Sequence, residues 1–226
     1  ALAFNPETLN TYEVGFKADL LDRVIRVNGA AFFNKYNDIT LGKLVCPESS
    51  LPSPCLRPAN IGSADVKGFE LEAAIHPAGG FSIDGSFSYL DFKYTSPCAG
   101  GNLVGSAIPC NSITPYTPKT NYSVGVQYDH EIGAGTVSVR FDGSYQSEMY
   151  TTSENTVWSK MDSRFVGNGQ ISFTSADKDW KLTAEVRNIF NKYYFLSVAD
   201  VTTSLGAVTG VPALPRTWAV TLKRSF

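Results

Sequence analysis

The sequence predicts an all-β fold: an antiparallel transmembrane β-barrel fragment of about nine long strands, with short turns at one end and long loops at the other. Three observations carry this reading. Apolar and polar residues alternate along most of the chain, the alternating runs are long, and the connections between them switch regularly between short and long. Of the 226 residues, 43% are hydrophobic and 12% aromatic, which excludes a disordered chain. Lys+Arg 19 against Asp+Glu 21 gives no electrostatic reason to expect nucleic acid as a partner. No apolar run approaches the ~18 residues that a spanning helix needs, so any span must come from strands, which bury only alternate side chains.

In the first strand Tyr12, Val14, Phe16, Ala18 and Leu20 share one face, and Glu13, Gly15, Lys17 and Asp19 share the other. The same period recurs over residues 25–33, 69–75, 81–89, 122–128, 137–145, 165–173, 180–187 and 218–226. Within 180–187 the split is complete, with Trp180, Leu182, Ala184 and Val186 opposite Lys181, Thr183, Glu185 and Arg187. Many of the runs continue for about 12 to 16 residues, whereas strands of soluble proteins usually stop near 5 or 6.

Residues 21–23, 77–80, 131–135 and 175–179 are tight connections rich in Gly and Asp. Residues 41–60, 96–115, 151–160 and 197–214 are long. That asymmetry orients the barrel, with the short turns periplasmic and the long loops extracellular. Phe81 and Trp180 follow short turns, and Tyr36, Tyr94, Tyr150, Tyr193 and Tyr194 lie near the outer strand ends, as interfacial girdles require. β-propensity enriches the same residue types, so the girdle is a weak signal alone. Cys46 with Cys55, and Cys98 with Cys110, fall in two of the long loops. Three connectivities are possible, and proximity favours the two local disulfides, which implies an oxidising compartment. A soluble antiparallel sandwich is the competing fold, and strand length and loop asymmetry count against it.

The sequence offers little chemistry. Glu70 and Glu72 share a strand face about 7 Å apart, a separation that paired glycosidase carboxylates also use. The reading we favour is structural pairing with Arg140, Lys181, Arg187 or Lys223, because confined charges need partners. His76 and His130 sit at short turns, and no nucleophile or orienting acid converges on either. GxxxxGK[ST], HExxH and Cys-x-x-Cys are all missing, so we expect no catalytic residues, no metal and no cofactor, and no enzyme. A binder and conduit remains. Gln146, Asp162, Arg164 and Tyr193, placed near the outer rim by strand direction and parity, are the candidate substrate-binding residues.

Several segments resemble the C-terminal barrel of TonB-dependent receptors. Pro6-Glu7-Thr8 leads into Tyr12-Glu13-Val14-Gly15, and Gly68-Phe69-Glu70-Leu71-Glu72 follows the recurrent Gly-aromatic-Glu-Leu-Glu strand. Pro118-Lys119 precedes another family strand, and Asn188-Ile189-Phe190-Asn191-Lys192-Tyr193 is similar to the motif of the penultimate strand. The last strand closes on Phe226. The resemblance implies that residues 1–226 are the C-terminal part of a large plugged barrel of about 22 strands. An opening at Ala1 without an initiator Met fits an internal start, with the plug domain and the earlier strands absent.

The resemblance also implies the wall of a receptor in the bacterial outer membrane for TonB-energised uptake of a scarce nutrient such as a ferric siderophore. The partners it implies are outer-membrane lipid, the nutrient complex and TonB, the last reached through the missing N-terminal region. The barrel-assembly machinery would read the C-terminal strand, with Trp218 and Phe226 as the assembly signal. The alternative is a passive outer-membrane channel or surface-binding barrel without a plug. Nine strands taken alone predict a curved open sheet with two unpaired edges, or a distorted partial barrel, and no closed pore.

Overall fold

The computed structural model describes residues 5–43, 57–96 and 112–225. In chain order the elements are β1 (Thr8–Leu20), β2 (Ile25–Lys43), β3 (Arg57–Ile75), β4 (Phe81–Ser96), β5 (Thr120–Ile132), β6 (Gly135–Gln146), β7 (Met149–Tyr150), β8 (Lys160–Met161), β9 (Arg164–Ser175), β10 (Trp180–Arg187), β11 (Phe195–Val201), α1 (Thr202–Leu205), β12 (Ala207–Pro212) and β13 (Thr217–Arg224). A single 3₁₀ turn, Val157–Ser159, precedes β8. Nine strands form one antiparallel sheet in the order β1-β2-β3-β4-β5-β6-β9-β10-β13. They are the nine that the alternation predicts. No pairing joins β1 to β13 among the described residues, so the sheet is open and both of its edges are bare.

Cross-strand register turns the alternation into two unlike faces. One row runs Leu20, Ile25, Ile75, Ile83, Val126, Phe141, Gly169, Val186 and Trp218, crossing all nine strands without a polar side chain. It starts beside a short turn and finishes at the loop end of β13, which is the stagger that tilted barrel strands require. The neighbouring parity gives Gly15, Ala30, Glu70, Ser88, Asn121, Gln146 and Arg164, a mostly polar row on the other face.

The apolar face has nothing packed on it. Val14 is 72% exposed, Trp218 73% and Val220 75%. A sandwich would cover such a face with a second sheet, so the exposure excludes that fold for this sheet. Apolar burial among the described residues is confined to the loop end. Ile39, Ala64 and Tyr94 form one cluster there, and Met149, Met161 and Val198 form another.

The short turns agree with the sequence reading. Leu21, Asp22 and Arg23 all take left-handed φ, closed by the Val24 N–H donating to Leu21 O at 3.0 Å. At Gly135 φ is +150°, and a Cβ there would collide with the carbonyl of Thr174. The long connections hold two departures. β2 and β3 pair as far as Lys43 and Arg57, well into the stretch expected to be loop. Within residues 197–214 the chain folds into the β11–β12 hairpin, capped by α1.

Candidate functional site

The polar face is the concave one. Its middle forms an open concavity of about 840 Å³ whose wall includes Glu70, Glu72, Ser86, Asn121, Gln146, Arg164 and Arg187. Arg164 opens β9 opposite Gln146, the last residue of β6, and its position follows from that register. Its Nη2 donates to Gln146 Oε1 at 3.0 Å, its Nη1 donates to Phe195 O at 3.2 Å, and its guanidinium lies 4.7 Å from the centre of the Tyr194 ring. Gln146 Nε2 in turn reaches Met149 Sδ at 3.2 Å. Two of the four sequence candidates therefore touch, and the hairpin base closes over them.

The other two candidates stand apart from this concavity. The Asp162 side chain is 91% exposed and lies 4.0 Å from Lys160 Nζ, which is held at 2.8 Å by Glu148. Tyr193 is 71% exposed and packs edge-on against Phe195, with ring centres 5.4 Å apart. Its neighbour Tyr194 lines the wall instead. Strand parity cannot place these tyrosines, because Asn188 and Asn191 both take left-handed φ just before them and rotate the chain out of the β10 pleat.

Asn188 is the residue that sequence reasoning missed. It is 4% exposed and acts as a hub. Its N–H donates to Asn168 Oδ1 at 3.0 Å, its Nδ2 donates to Lys192 O at 2.9 Å and Leu214 O at 3.3 Å, and its Oδ1 accepts from Lys192 N–H at 2.8 Å. One side chain thus ties the end of β10 to the entry and exit of the hairpin. The available signal was an Asn at a strand end, the side chain that best tolerates αL and mimics a backbone turn.

Asp200 holds the hairpin's far end. It accepts from the Thr156 hydroxyl, from Thr202 N–H at 3.0 Å and from the Thr202 hydroxyl at 2.6 Å. Those donors, Thr156 first, keep its carboxyl below the ordinary carboxylate range. The expected pairing of Glu70 and Glu72 does not occur among the described residues. Arg140 goes to Asp84 at 3.0 Å and Asp142 at 2.6 Å, Arg187 goes to Glu185 at 3.2 Å, and Lys181 stands opposite Lys223. The reason is distance along the wall: Arg140 stands in register with Gln127 and Ser82, one same-face row from Asp84 and Asp142, and all three lie nearer the short turns than either glutamate.

No group of His, Cys, Asp and Glu suited to a metal occurs among the described residues. His76 directly follows β3 at its turn, and His130 stacks on Tyr128 two residues from the end of β5. Trp218 points outward from β13 opposite Val186. Phe226 and the four cysteines lie outside the described residues.

Comparison with known proteins gives this wall a context. Residues 2–189 match the family described as TonB dependent receptor-like, beta-barrel. The chain is 26% identical over 200 residues to the probable TonB-dependent siderophore receptor PiuA of Acinetobacter baumannii, covering 84% of this chain and 24% of that protein. It therefore spans about a quarter of the curated relative's length. The solved structure of the ferric yersiniabactin uptake receptor FyuA from Yersinia pestis superposes with a TM-score of 0.76 at 18% identity, covering 99% of this chain and 30% of the other. That of the siderophore receptor PiuA from Acinetobacter baumannii gives 0.73 at 21%, covering 98% and 29%. The open sheet, its two unlike faces and the match over most of its length lead to one assignment: the chain belongs to the TonB-dependent receptor β-barrel family.

Proposed function

We propose that the chain is the C-terminal wall of a bacterial outer-membrane receptor that takes up a ferric siderophore in a TonB-dependent way. The carrying observation is the pair of faces: an unbroken apolar row across nine strands suits lipid, and the polar concavity behind it suits a hydrated cargo. The siderophore is supported by the names of the relatives, PiuA and FyuA. In this reading the wall binds and positions but makes and breaks no bonds. Gln146 and Arg164 contact cargo from the wall, and Asp162 and Tyr193 meet it first, from their exposed positions at the rim. TonB acts through a plug encoded upstream, and the assembly machinery engages β13 through Trp218 and Phe226. The paired cysteines, Cys46 with Cys55 and Cys98 with Cys110, brace the outer loops as disulfides.

The test is uptake of iron-55 complexes by a strain lacking the full-length gene, complemented with wild type or with Gln146→Ala and Arg164→Ala. Loss of uptake of one siderophore on deletion, restored by the wild-type gene and reduced about tenfold or more by Arg164→Ala, is expected for a half-buried cation at a binding site. Unchanged uptake of every candidate complex on deletion would overturn the reading.

A further inference from the structure

The outward face changes character abruptly at its loop end, and only on one side of the sheet. The row Val14, Ala31, Phe69 and Tyr89 is apolar. One step outward the row reads Tyr12, Phe33, Lys67 and Asp91, and the next reads Asn10, Lys35, Asp65 and Lys93. Lys119, just before β5, turns to the same face, with Nζ 3.9 Å from Asp91 Oδ1 and 5.4 Å from the centre of the Tyr89 ring. Lys35 and Lys67 place their Nζ atoms 5.8 and 5.5 Å from the centre of one ring, that of Phe33. All four lysines are exposed. The acids on this patch are Asp91, taken by Lys119, and Asp65, which stands between Lys35 and Lys93 in register without an ion pair to either. On β6 and β9 the corresponding loop-end positions are Tyr145 and Phe165.

Lysines scattered at a membrane boundary reach for water singly. Here four converge on neighbouring strands, three of them held over aromatic rings, where the apolar surface ends. Strand and pleat spacings put them within a patch roughly 10–15 Å across. A ligand that fits must be anionic at the level of the lysines and apolar below them. We propose that this patch binds the phosphate-bearing headgroup of an outer-leaflet lipid, whose acyl chains lie along the apolar rows beneath. The inference rests on the outer-membrane reading above.

The experiment uses the full-length receptor in phosphatidylcholine nanodiscs containing a small fraction of doubly phosphorylated lipid A, with retained lipid counted by native mass spectrometry. Lys35→Gln, Lys67→Gln, Lys93→Gln and Lys119→Gln combined should lower retention more than tenfold, and the four corresponding Lys→Arg changes should preserve it. Lys67→Gln alone should lower it roughly fivefold, the share of one interfacial lysine, and carries the test if the combined variant fails to fold. Dephosphorylated lipid A should be retained no better by wild type than by the variants. Equal retention by wild type and Gln variants, equal retention of the dephosphorylated lipid, or full displacement by millimolar inorganic phosphate would overturn the site. A receptor that never enters the nanodisc would overturn the membrane reading itself, a result distinct from an inserted receptor that ignores lipid A.

Discussion

Two glycines face close neighbours with different consequences. A Cβ at Gly125 would meet Arg140 Nη2 and the Asp84 carboxylate, both the far ends of flexible side chains. Gly125→Ala should fold, sever the Arg140–Asp84 contact, keep Arg140–Asp142, and cost under about 1 kcal/mol, because these partly exposed charges are screened. At Gly135 the neighbour is backbone and φ is positive, so nothing can give way. Gly135→Ala should cost about 3 kcal/mol. Urea unfolding of the receptor refolded into detergent micelles distinguishes the two, and equal losses would contradict the argument. Legibility at this scale followed the same division between pleated strand and turn. Gln146 and Arg164 were readable because both lie on regular strands where parity fixes direction. Tyr194 and Asn188 were not, since two left-handed asparagines intervene and tertiary contacts decide where the chain goes next.

The β11–β12 hairpin stands on Asn188 at its base and Asp200 at its far end. Because the Asp200 carboxyl is lowered in the folded state, its contribution is complete above the ordinary carboxylate range and is lost as pH falls through the lowered value. The hairpin should loosen only in acid, below about pH 4. Hydrogen exchange of residues 195–212 across a pH series, corrected for intrinsic rates, reads this directly. Asp200→Asn should show at neutral pH the loss of protection that wild type shows only in acid, with the nine-stranded sheet unchanged. Asn188→Ala should release the base at every pH, exposing the linker to protease. This hairpin was hidden in the sequence because β12 is exposed on both faces and Val198 is the one buried residue of β11, so no regular apolar–polar alternation was imposed on it. The outer halves of β2 and β3 were hidden for another reason: the register shifts between Tyr36 and Thr40, where Asp38 takes left-handed φ, interrupt the period.

As a whole the sheet is a wall with two bare edges and an uncovered apolar side. This chain alone should sediment or form large assemblies in detergent-free buffer and become monodisperse only with detergent or lipid. Analytical ultracentrifugation decides it, and a well-behaved monomer in plain buffer would contradict the membrane assignment. The architecture was legible because lipid on one side and water on the other impose the strongest period-two signal that a chain can carry. The wall's uneven height has a further consequence. β2 runs from Phe33 to Lys43 beyond the last apolar row, roughly 30 Å of ladder along the strand, whereas β10 stops at Arg187. Above the buried Ile39–Ala64–Tyr94 cluster the apolar rows have ended, and the ladder from Thr40 and Asn60 to Lys43 and Arg57 carries the pair onward. That segment can lengthen or shorten two residues at a time without disturbing the pleat below. The height of this mast is thus set independently of the apolar rows, whose register stays fixed by the strands below it.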